Sequence, residues 1–230
     1  MTEGDILRCI DAGAKFYLDF FGDAIHMDRQ DNGLYTTIAP KDGEQGVRFV
    51  YDLRLAHLDD AAAGAAIAAI QAMEMPVWWG LSQGGDEFYM ALLPDQQPAL
   101  TAIGQDIRRV TTPADFRTFA GIANAVFAGG YGDIHPENHY PWCADGRMAA
   151  YIAYAQGKPV AVAAILNNMG ACSLEFVATL PAHRRQGLAE AVCCTAIRDA
   201  FASGAAIITL RAADPARRLY EKLGFETYTG

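Results

Sequence analysis

The chain has 230 residues, enough for one large domain or two small ones, and 52% of them are hydrophobic, which excludes a wholly disordered protein. The formal net charge of −9 disfavours nucleic acid as a partner, because binding to phosphate backbones depends on positive charge. No apolar stretch is long enough to span a membrane, and the first residues do not resemble a secretory signal. The five cysteines form no CxxC pair, so we expect reduced thiols in a cytoplasmic protein without a membrane partner.

The first hundred residues predict a mixture of helices and strands. Helices are expected near residues 3–20 and 57–74. Strands are expected near residues 33–38, 47–53, 76–80 and 87–93. The pair Trp78-Trp79 is more typical of a core or a domain interface than of a site. These patterns predict a smaller α/β half over residues 1–105, with a linker near its end.

The second half, residues 106–230, has clearer signals. A short strand at 106–110 precedes a helix whose start is marked by Thr112, Pro113 and Asp115. Three strand-like runs separated by turns then predict an antiparallel meander at residues 147–155, 158–166 and 171–180. The last predicted elements are a helix at 188–204, a buried strand at 205–212, a helix at 214–224 and a strand at 225–229.

Between the first helix and the meander, residues 128–146 are rich in Gly, Pro and aromatic residues. This composition predicts a loop with one helical turn. Three potential metal ligands lie there at steps of four: His135, His139 and Cys143. A regular helix would align them, but Pro136 and Pro141 argue against one, so we expect no metal site. The histidines and aromatic residues favour a loop that contributes to the specificity of a site, because loops often carry specificity.

Positive charge collects at the start of the helix predicted from residue 188, in the stretch Arg184-Arg185-Gln186-Gly187-Leu188-Ala189. A helix amino terminus has unpaired backbone N–H groups and a partial positive charge, which together bind phosphate. Gly187 lets a ligand approach the backbone, and the two arginines add charged donors. The alternative is an ordinary exposed loop with a glycine at a turn.

The motif Val177-Ala178-Thr179-Leu180-Pro181, followed by this charged stretch, resembles the central motif of the GNAT family of acyl-CoA-dependent N-acyltransferases. A second stretch, "DPARRLYEKLGF" at residues 214–225, resembles the family's Ala-x-x-Leu-Tyr-x-Lys-x-Gly-Phe ending. The resemblance covers roughly residues 106–230 and implies a mixed, mostly antiparallel sheet flanked by helices. Residues 1–105 resemble a degenerate GNAT-like domain that lacks the Arg-x-x-Gly loop, so we expect no second cofactor there.

The resemblance implies a set of acetyl-CoA contacts. In the family, the strand before the loop splays from its neighbour, its backbone binds the pantetheine arm, and the loop backbone surrounds the pyrophosphate. The residues expected to bind acetyl-CoA are Val177, Ala178, Thr179, Arg184, Arg185, Gln186, Gly187, Leu188, Ala189, Ala213 and Ala216. Ala213 departs from the family, where many members have asparagine. The family's additional last strand is expected to be absent here or replaced by the first half.

Two residues are candidates for proton transfer. Tyr220 matches the tyrosine that commonly protonates the departing thiolate in the family, and a helix would place it on one face with Ala213 and Ala216. Its alternative role is that of a core tyrosine. Glu175 could deprotonate the amine, or it could be a surface carboxylate.

Strand alternation predicts two faces around Glu175. One face is expected to hold Cys172, Leu174, Phe176, Ala178 and Leu180. The other, assigned to the ligand, is expected to hold Ser173, Glu175, Val177 and Thr179.

The sequence thus predicts an N-acetyltransferase that moves an acetyl group from acetyl-CoA to a primary amine by direct transfer. A non-catalytic acyl-CoA sensor with the same cofactor pocket is one alternative, and a phosphate-binding scaffold of unrelated fold is another. The acidic first 180 residues favour a cationic amine as acceptor, although acidic surfaces also simply increase solubility.

Overall fold

The computed structural model describes residues 1–42, 48–78, 80, 87–97, 104–127 and 133–229. The helices in these ranges are α1 (Glu3–Gly22), α2 (Asp60–Gln71), α3 (Pro113–Phe127), α4 (Pro136–Ala144), α5 (Leu188–Ala202) and α6 (Asp214–Lys222). The strands are β1 (Met27–Asp31), β2 (Thr36–Pro40), β3 (Phe49–Tyr51), β4 (Glu87–Leu92), β5 (Asp106–Arg109), β6 (Met148–Ala155), β7 (Lys158–Asn168), β8 (Ala171–Thr179), β9 (Ile207–Ala213) and β10 (Glu226–Tyr228). None of these helices is both long and apolar enough to cross a membrane.

The first half contributes a small antiparallel sheet in the order β1-β2-β3. Strand β1 was not predicted, because four of its five residues are exposed and polar and give no apolar alternation. The strand expected near 76–80 is reduced to a single bridge between Val77 and Val50, and Trp79 lies outside the described residues.

A seven-stranded sheet forms the centre of the molecule, in the order β10-β4-β9-β8-β7-β6-β5. Among the described strands of this sheet, only the β8–β9 pair is parallel, so the mixed, mostly antiparallel sheet expected from the resemblance is confirmed. Strand β4, from the first half, lies between β9 and β10 and pairs with both in antiparallel fashion. The first half therefore supplies a strand of this sheet, and the sheet crosses the boundary predicted at residue 105.

Helices cover both faces of this sheet. Helices α1, α3 and α4 pack on one face, where the apolar cluster includes Phe20, Phe116 and Trp142. Helices α5 and α6 pack on the other face, against a cluster that includes Val192 and Leu223. The predicted start of α3 is present, since the Thr112 hydroxyl accepts from the Asp115 backbone N–H and donates to its carboxylate.

The prediction of a loop with one helical turn is wrong for the region before β6. Helix α4 has nine residues and continues through Pro141. The missing N–H of Pro141 is offset by tertiary packing of two buried side chains. His139 stacks on Phe20 with 4.2 Å between ring centroids, and Trp142 Nε1 donates to Asp23 at 3.1 Å.

The predicted alternation along β8 is also wrong. Phe176 has a φ of 55°, and the pairing with β7 shifts register at this point, which is the signature of a β-bulge. Before the bulge, Cys172 and Leu174 pack on the face of the sheet that α5 covers. From the bulge onward, Phe176 and Ala178 pack on the opposite face, which α1 and α3 cover. Because a bulge adds one residue to the strand, every side chain after it changes face.

Helix α1 approaches the sheet very closely at Gly13. A Cβ atom there would lie 2.9 Å from Thr209 Oγ1 and 3.2 Å from Ser173 Cβ, both on buried strand residues. We expect Gly13→Ala to lower the free energy of unfolding by about 1–3 kcal/mol through overpacking. Gly121→Ala in α3 is the matched control, because a Cβ there meets nothing within 4 Å and should raise stability by up to about 1 kcal/mol. Urea unfolding of both variants measures the difference, and equal stabilities would contradict this docking of α1.

Candidate active site

The cleft at the centre of the sheet arises where β8 and β9 separate. The two parallel strands pair from Ala171↔Ile207 to Ser173↔Thr209 and not beyond, although they continue to Thr179 and Ala213. The splay implied by the resemblance is therefore present. The backbone edges that face each other across it are left without strand partners, so a ligand can form hydrogen bonds with them.

A cavity of about 330 Å³ occupies this splay, within the size range of small-molecule sites. Five of the predicted site residues line it: Glu175, Val177, Ala213, Ala216 and Tyr220. The structure adds lining residues that the sequence analysis missed, including Tyr17, Phe21, Glu87, Asn124 and Arg211. The first half of the chain thus contributes α1 and β4 residues directly to the cavity wall.

The remaining predicted residues lie at and beyond the end of β8. Ala178 is buried on the α1 and α3 side of the sheet. The loop from Arg184 to Gly187 is exposed, whereas Leu188 is buried and Ala189 half-buried as α5 begins. The predicted residues of this segment, none of which lines the cavity, are Arg184, Arg185, Gln186, Gly187, Leu188 and Ala189.

Backbone conformation makes this loop a candidate anion site. Gly187 precedes α5 with φ 74° and ψ 5°, a left-handed conformation that glycine adopts without strain, and Arg185 has φ 64°. The first intrahelical bond runs from Ala191 N–H to the Gly187 carbonyl at 3.0 Å. Amides before Ala191 therefore have no acceptor within the helix and are available to a phosphate.

Thr179 links the loop to the splay. Its carbonyl accepts a hydrogen bond from Arg184 Nε at 3.2 Å, which holds that arginine against the end of β8. Its hydroxyl oxygen is buried and has no hydrogen-bond partner among the described residues. A buried hydroxyl is normally satisfied, so this one is suited to bond a ligand that enters the splay.

Glu175 is half-buried in the cavity wall. Burial raises the pKa of this carboxyl to about 7, Arg211 opposes the shift, and Glu87 adds to it. A carboxylate with a pKa near neutrality can accept a proton from an amine at physiological pH.

Tyr220 lies in the cavity wall with 7% of its surface exposed, and its ring packs edge-on against Phe225 at 5.9 Å. Burial raises the pKa of the phenol well above its ordinary value, and Cys193 and Glu175 add to the shift. The hydroxyl is therefore protonated at neutral pH, as a proton donor must be.

Arg211 is the only arginine or lysine that lines this cavity among the described residues. Its side chain is 14% exposed, and its guanidinium carbon lies 5.2 Å from the Tyr17 ring centroid and 5.4 Å from that of Trp78. Nη1 forms an ion pair with Glu87 Oε2 at 3.7 Å. The sequence carries a signal that could have identified Arg211. It is the one charged residue in the stretch Ala205–Ala213, whose other residues are apolar except for Thr209.

His139, the histidine of α4, has a structural role. His139 Nδ1 accepts from the His135 backbone N–H at 2.9 Å, and its ring is fully buried against Phe20. Burial, with His135 and His26 as further causes, lowers the pKa of His139 to about 3. Within the described part of the chain, no group of three or more His, Cys, Asp or Glu side chains is arranged to hold a metal ion.

The fold is shared with known proteins. A GCN5-related N-acetyltransferase from Kribbella flavida is 19% identical, with a TM-score of 0.62 over 94% of this chain and 90% of that chain. A protein described as a GNAT-family acetyltransferase from Novosphingobium aromaticivorans is 17% identical, with a TM-score of 0.54 over 87% and 86%. A conserved protein of unknown function from Staphylococcus epidermidis is 12% identical, with a TM-score of 0.56 over 92% and 93%.

At these identities the structural similarity concerns the fold, which excludes the alternative of a phosphate-binding scaffold of unrelated architecture. No match was found among curated proteins. The model of the acetyltransferase (GNAT) family matches residues 116–225, the segment that contains β8, the charged loop, β9 and Tyr220. Residues 116–225 therefore form a domain of the acetyltransferase (GNAT) family.

Proposed function

We propose that the protein is an N-acetyltransferase that transfers an acetyl group from acetyl-CoA directly to a primary amine. The observation that carries this proposal is the splay between β8 and β9, with Glu175 and Tyr220 in one cavity at its centre. The family match to residues 116–225 supports the reaction class.

The described residues fit acetyl-CoA as the acyl donor. Amides at the start of α5 would hold the pyrophosphate, with Arg184 and Arg185 adding positive charge. The backbone around Val177 and the buried Thr179 hydroxyl would hold the pantetheine arm, which brings the thioester to the cavity. The small side chains of Ala213 and Ala216 leave room for it beside Tyr220.

Each of the two titratable groups has one task in this reaction. Glu175 accepts the proton that the amine must lose before or during attack on the thioester carbonyl carbon. The new carbon–nitrogen bond forms as the carbon–sulfur bond breaks, and Tyr220 donates its proton to the departing thiolate. The acceptor enters from the α1 and α3 side, where Tyr17 and Asn124 line the cavity.

The alternative is a sensor that binds acyl-CoA without turnover. Incubation of the protein with acetyl-CoA and a panel of primary amines, with release of free CoA thiol as the readout, separates the two. We expect thiol release that depends on the amine, together with an acetylated product detected by mass spectrometry. Calorimetric binding of acetyl-CoA without product from any amine would favour the sensor.

The rate should depend on pH through Glu175. With a pKa of about 7, this carboxyl is protonated below neutrality, so kcat/KM should rise about tenfold per pH unit up to pH 7 and then level off. The acceptor amine titrates as well, so the wild type and Glu175→Gln are compared with one acceptor. If the rise of kcat/KM below pH 7 is lost in Glu175→Gln, that rise reports the titration of Glu175. If the two pH profiles have the same shape, Glu175 is not the base.

A further inference from the structure

We propose that Arg211 binds a carboxylate of the acceptor, so that the acceptor is a small amino acid that carries its carboxylate close to the reacting amine. This inference rests on the proposed acetyl transfer and adds the class of its acceptor. It departs from the cationic amine that the acidic composition of the chain favours, because the composition averages over the surface while Arg211 lies in the cavity itself.

The position of Arg211 suits a ligand anchor. Its guanidinium lies in the wall of the cavity, mostly buried, at the place where β9 has separated from β8. Contacts with the rings of Tyr17 and Trp78 hold its orientation, and Trp78 is itself fixed by a hydrogen bond from Nε1 to Asp11 at 3.0 Å. A planar guanidinium held in this way presents a rigid set of donors that matches a carboxylate.

The ion pair with Glu87 can be exchanged for a ligand. Its Nη1–Oε2 distance of 3.7 Å exceeds a hydrogen-bond length, and the Glu87 side chain is 33% exposed at the cavity wall. Glu87 can therefore turn toward solvent while a ligand carboxylate replaces it beside Arg211. The buried cation keeps an anionic partner in both states, so ligand binding leaves no uncompensated buried charge.

The neighbouring base sets where the amine lies. Arg211 and Glu175 line the same cavity of about 330 Å³, and the guanidinium lowers the pKa of the Glu175 carboxyl. A ligand whose carboxylate binds Arg211 and whose amine faces Glu175 needs these two groups only a few bonds apart, as in an α-amino acid. A polyamine would place a second cation beside Arg211, which repels it. The rings of Tyr17, Phe21 and Phe127 offer an apolar wall to a side chain.

Matched pairs of acceptors test this inference: L-leucine against 3-methylbutylamine, and L-phenylalanine against 2-phenylethylamine. Each amine lacks only the carboxylate of its partner. Because Arg211 also lowers the pKa of Glu175, rates are compared at a pH well above 7, where Glu175 is deprotonated. We expect kcat/KM for the amino acids to exceed that for the amines by a factor on the order of 10², and Arg211→Gln to remove this difference by slowing the amino acids far more than the amines. Arg211→Lys should restore part of the preference, because it keeps the charge without the planar fork.

Glu87→Gln is the matched control, since it breaks the same ion pair and leaves Arg211 in place. It should keep the preference for amino acids, and thermal unfolding checks that the variants are folded. Calorimetry on the CoA-saturated protein measures the affinity for L-leucine and L-phenylalanine in the absence of turnover. Loss of amino-acid binding in Arg211→Gln supports the inference, whether or not the wild type forms product. Absence of product in the wild type would overturn only the transfer reaction. Equal rates for both members of each pair, unchanged by Arg211→Gln, would overturn the inference and leave the acetyl transfer standing.

Discussion

Tyr220→Phe is expected to lower kcat by a factor on the order of 10² to 10⁴ while the Kd for CoA stays unchanged. The substitution removes only the hydroxyl and keeps the ring that packs against Phe225 inside the core beside α5. The thiolate would then leave without a positioned proton donor. If water reaches the cavity, it can protonate the thiolate in place of Tyr220, and the loss of kcat then lies near the lower end of this range. Steady-state kinetics and calorimetry together check the two halves of the prediction.

Tyr228→Phe provides the matched control for Tyr220. Tyr228 lies on the edge strand β10, outside the cavity lining, and its hydroxyl donates to Glu226 at 3.3 Å. This variant should keep the wild-type rate. A Tyr220→Phe protein with normal turnover would remove the residue from the mechanism, and one that no longer binds CoA would assign it a packing role.

Gly187→Trp is expected to abolish binding of acetyl-CoA, with the Kd rising beyond what calorimetry can measure. A Cβ at Gly187 meets no protein atom within 4 Å, so the chain itself leaves room for the side chain. The space that the indole would fill is the one beside the first amides of α5, where the pyrophosphate is proposed to lie. Loss of binding would therefore come from exclusion of the ligand.

Backbone strain must be separated from this exclusion, because Gly187 has a φ of 74° and any L-residue there is strained. Gly170→Trp is the control: Gly170 has a φ of 92°, is equally open, and precedes the opposite end of β8. Both variants should lose similar stability in urea, and only Gly187→Trp should lose the ligand. Unchanged affinity in Gly187→Trp would show that the pyrophosphate site lies elsewhere.

Much of the candidate site was predictable from the sequence, because its signals are local. The helix start at Gly187 depends on a few consecutive residues, and the left-handed φ found there is the conformation that favours glycine. Tyr220 and Ala216 reach the cavity together because they lie four residues apart on α6. Their roles as acid and cofactor contacts remain predictions.

Other features depended on contacts between distant parts of the chain. Helix α4 continues through Pro141 because Trp142 and His139 pack against residues of α1, which lie more than a hundred positions earlier. The helix propensity of residues 136–144 does not depend on α1, so it could not predict this. The bulge at Phe176 reverses the faces of β8 although the residue types alternate regularly. A strand's register is set by its neighbours, which the strand's own sequence does not contain.

The local sequence therefore determined the meander and the last two helices of the second half, the glycine before α5 and the position of Tyr220 on α6, since these depend on spacing within one segment. Only the tertiary structure decided what closes the sheet and which residues of the first half line the cavity. Strand β4 enters between β9 and β10 and places Glu87 beside Arg211, and α1 places Tyr17 against the same guanidinium. These contacts join residues more than a hundred positions apart, and pairing at that separation arises from packing of the whole chain, which no local pattern encodes.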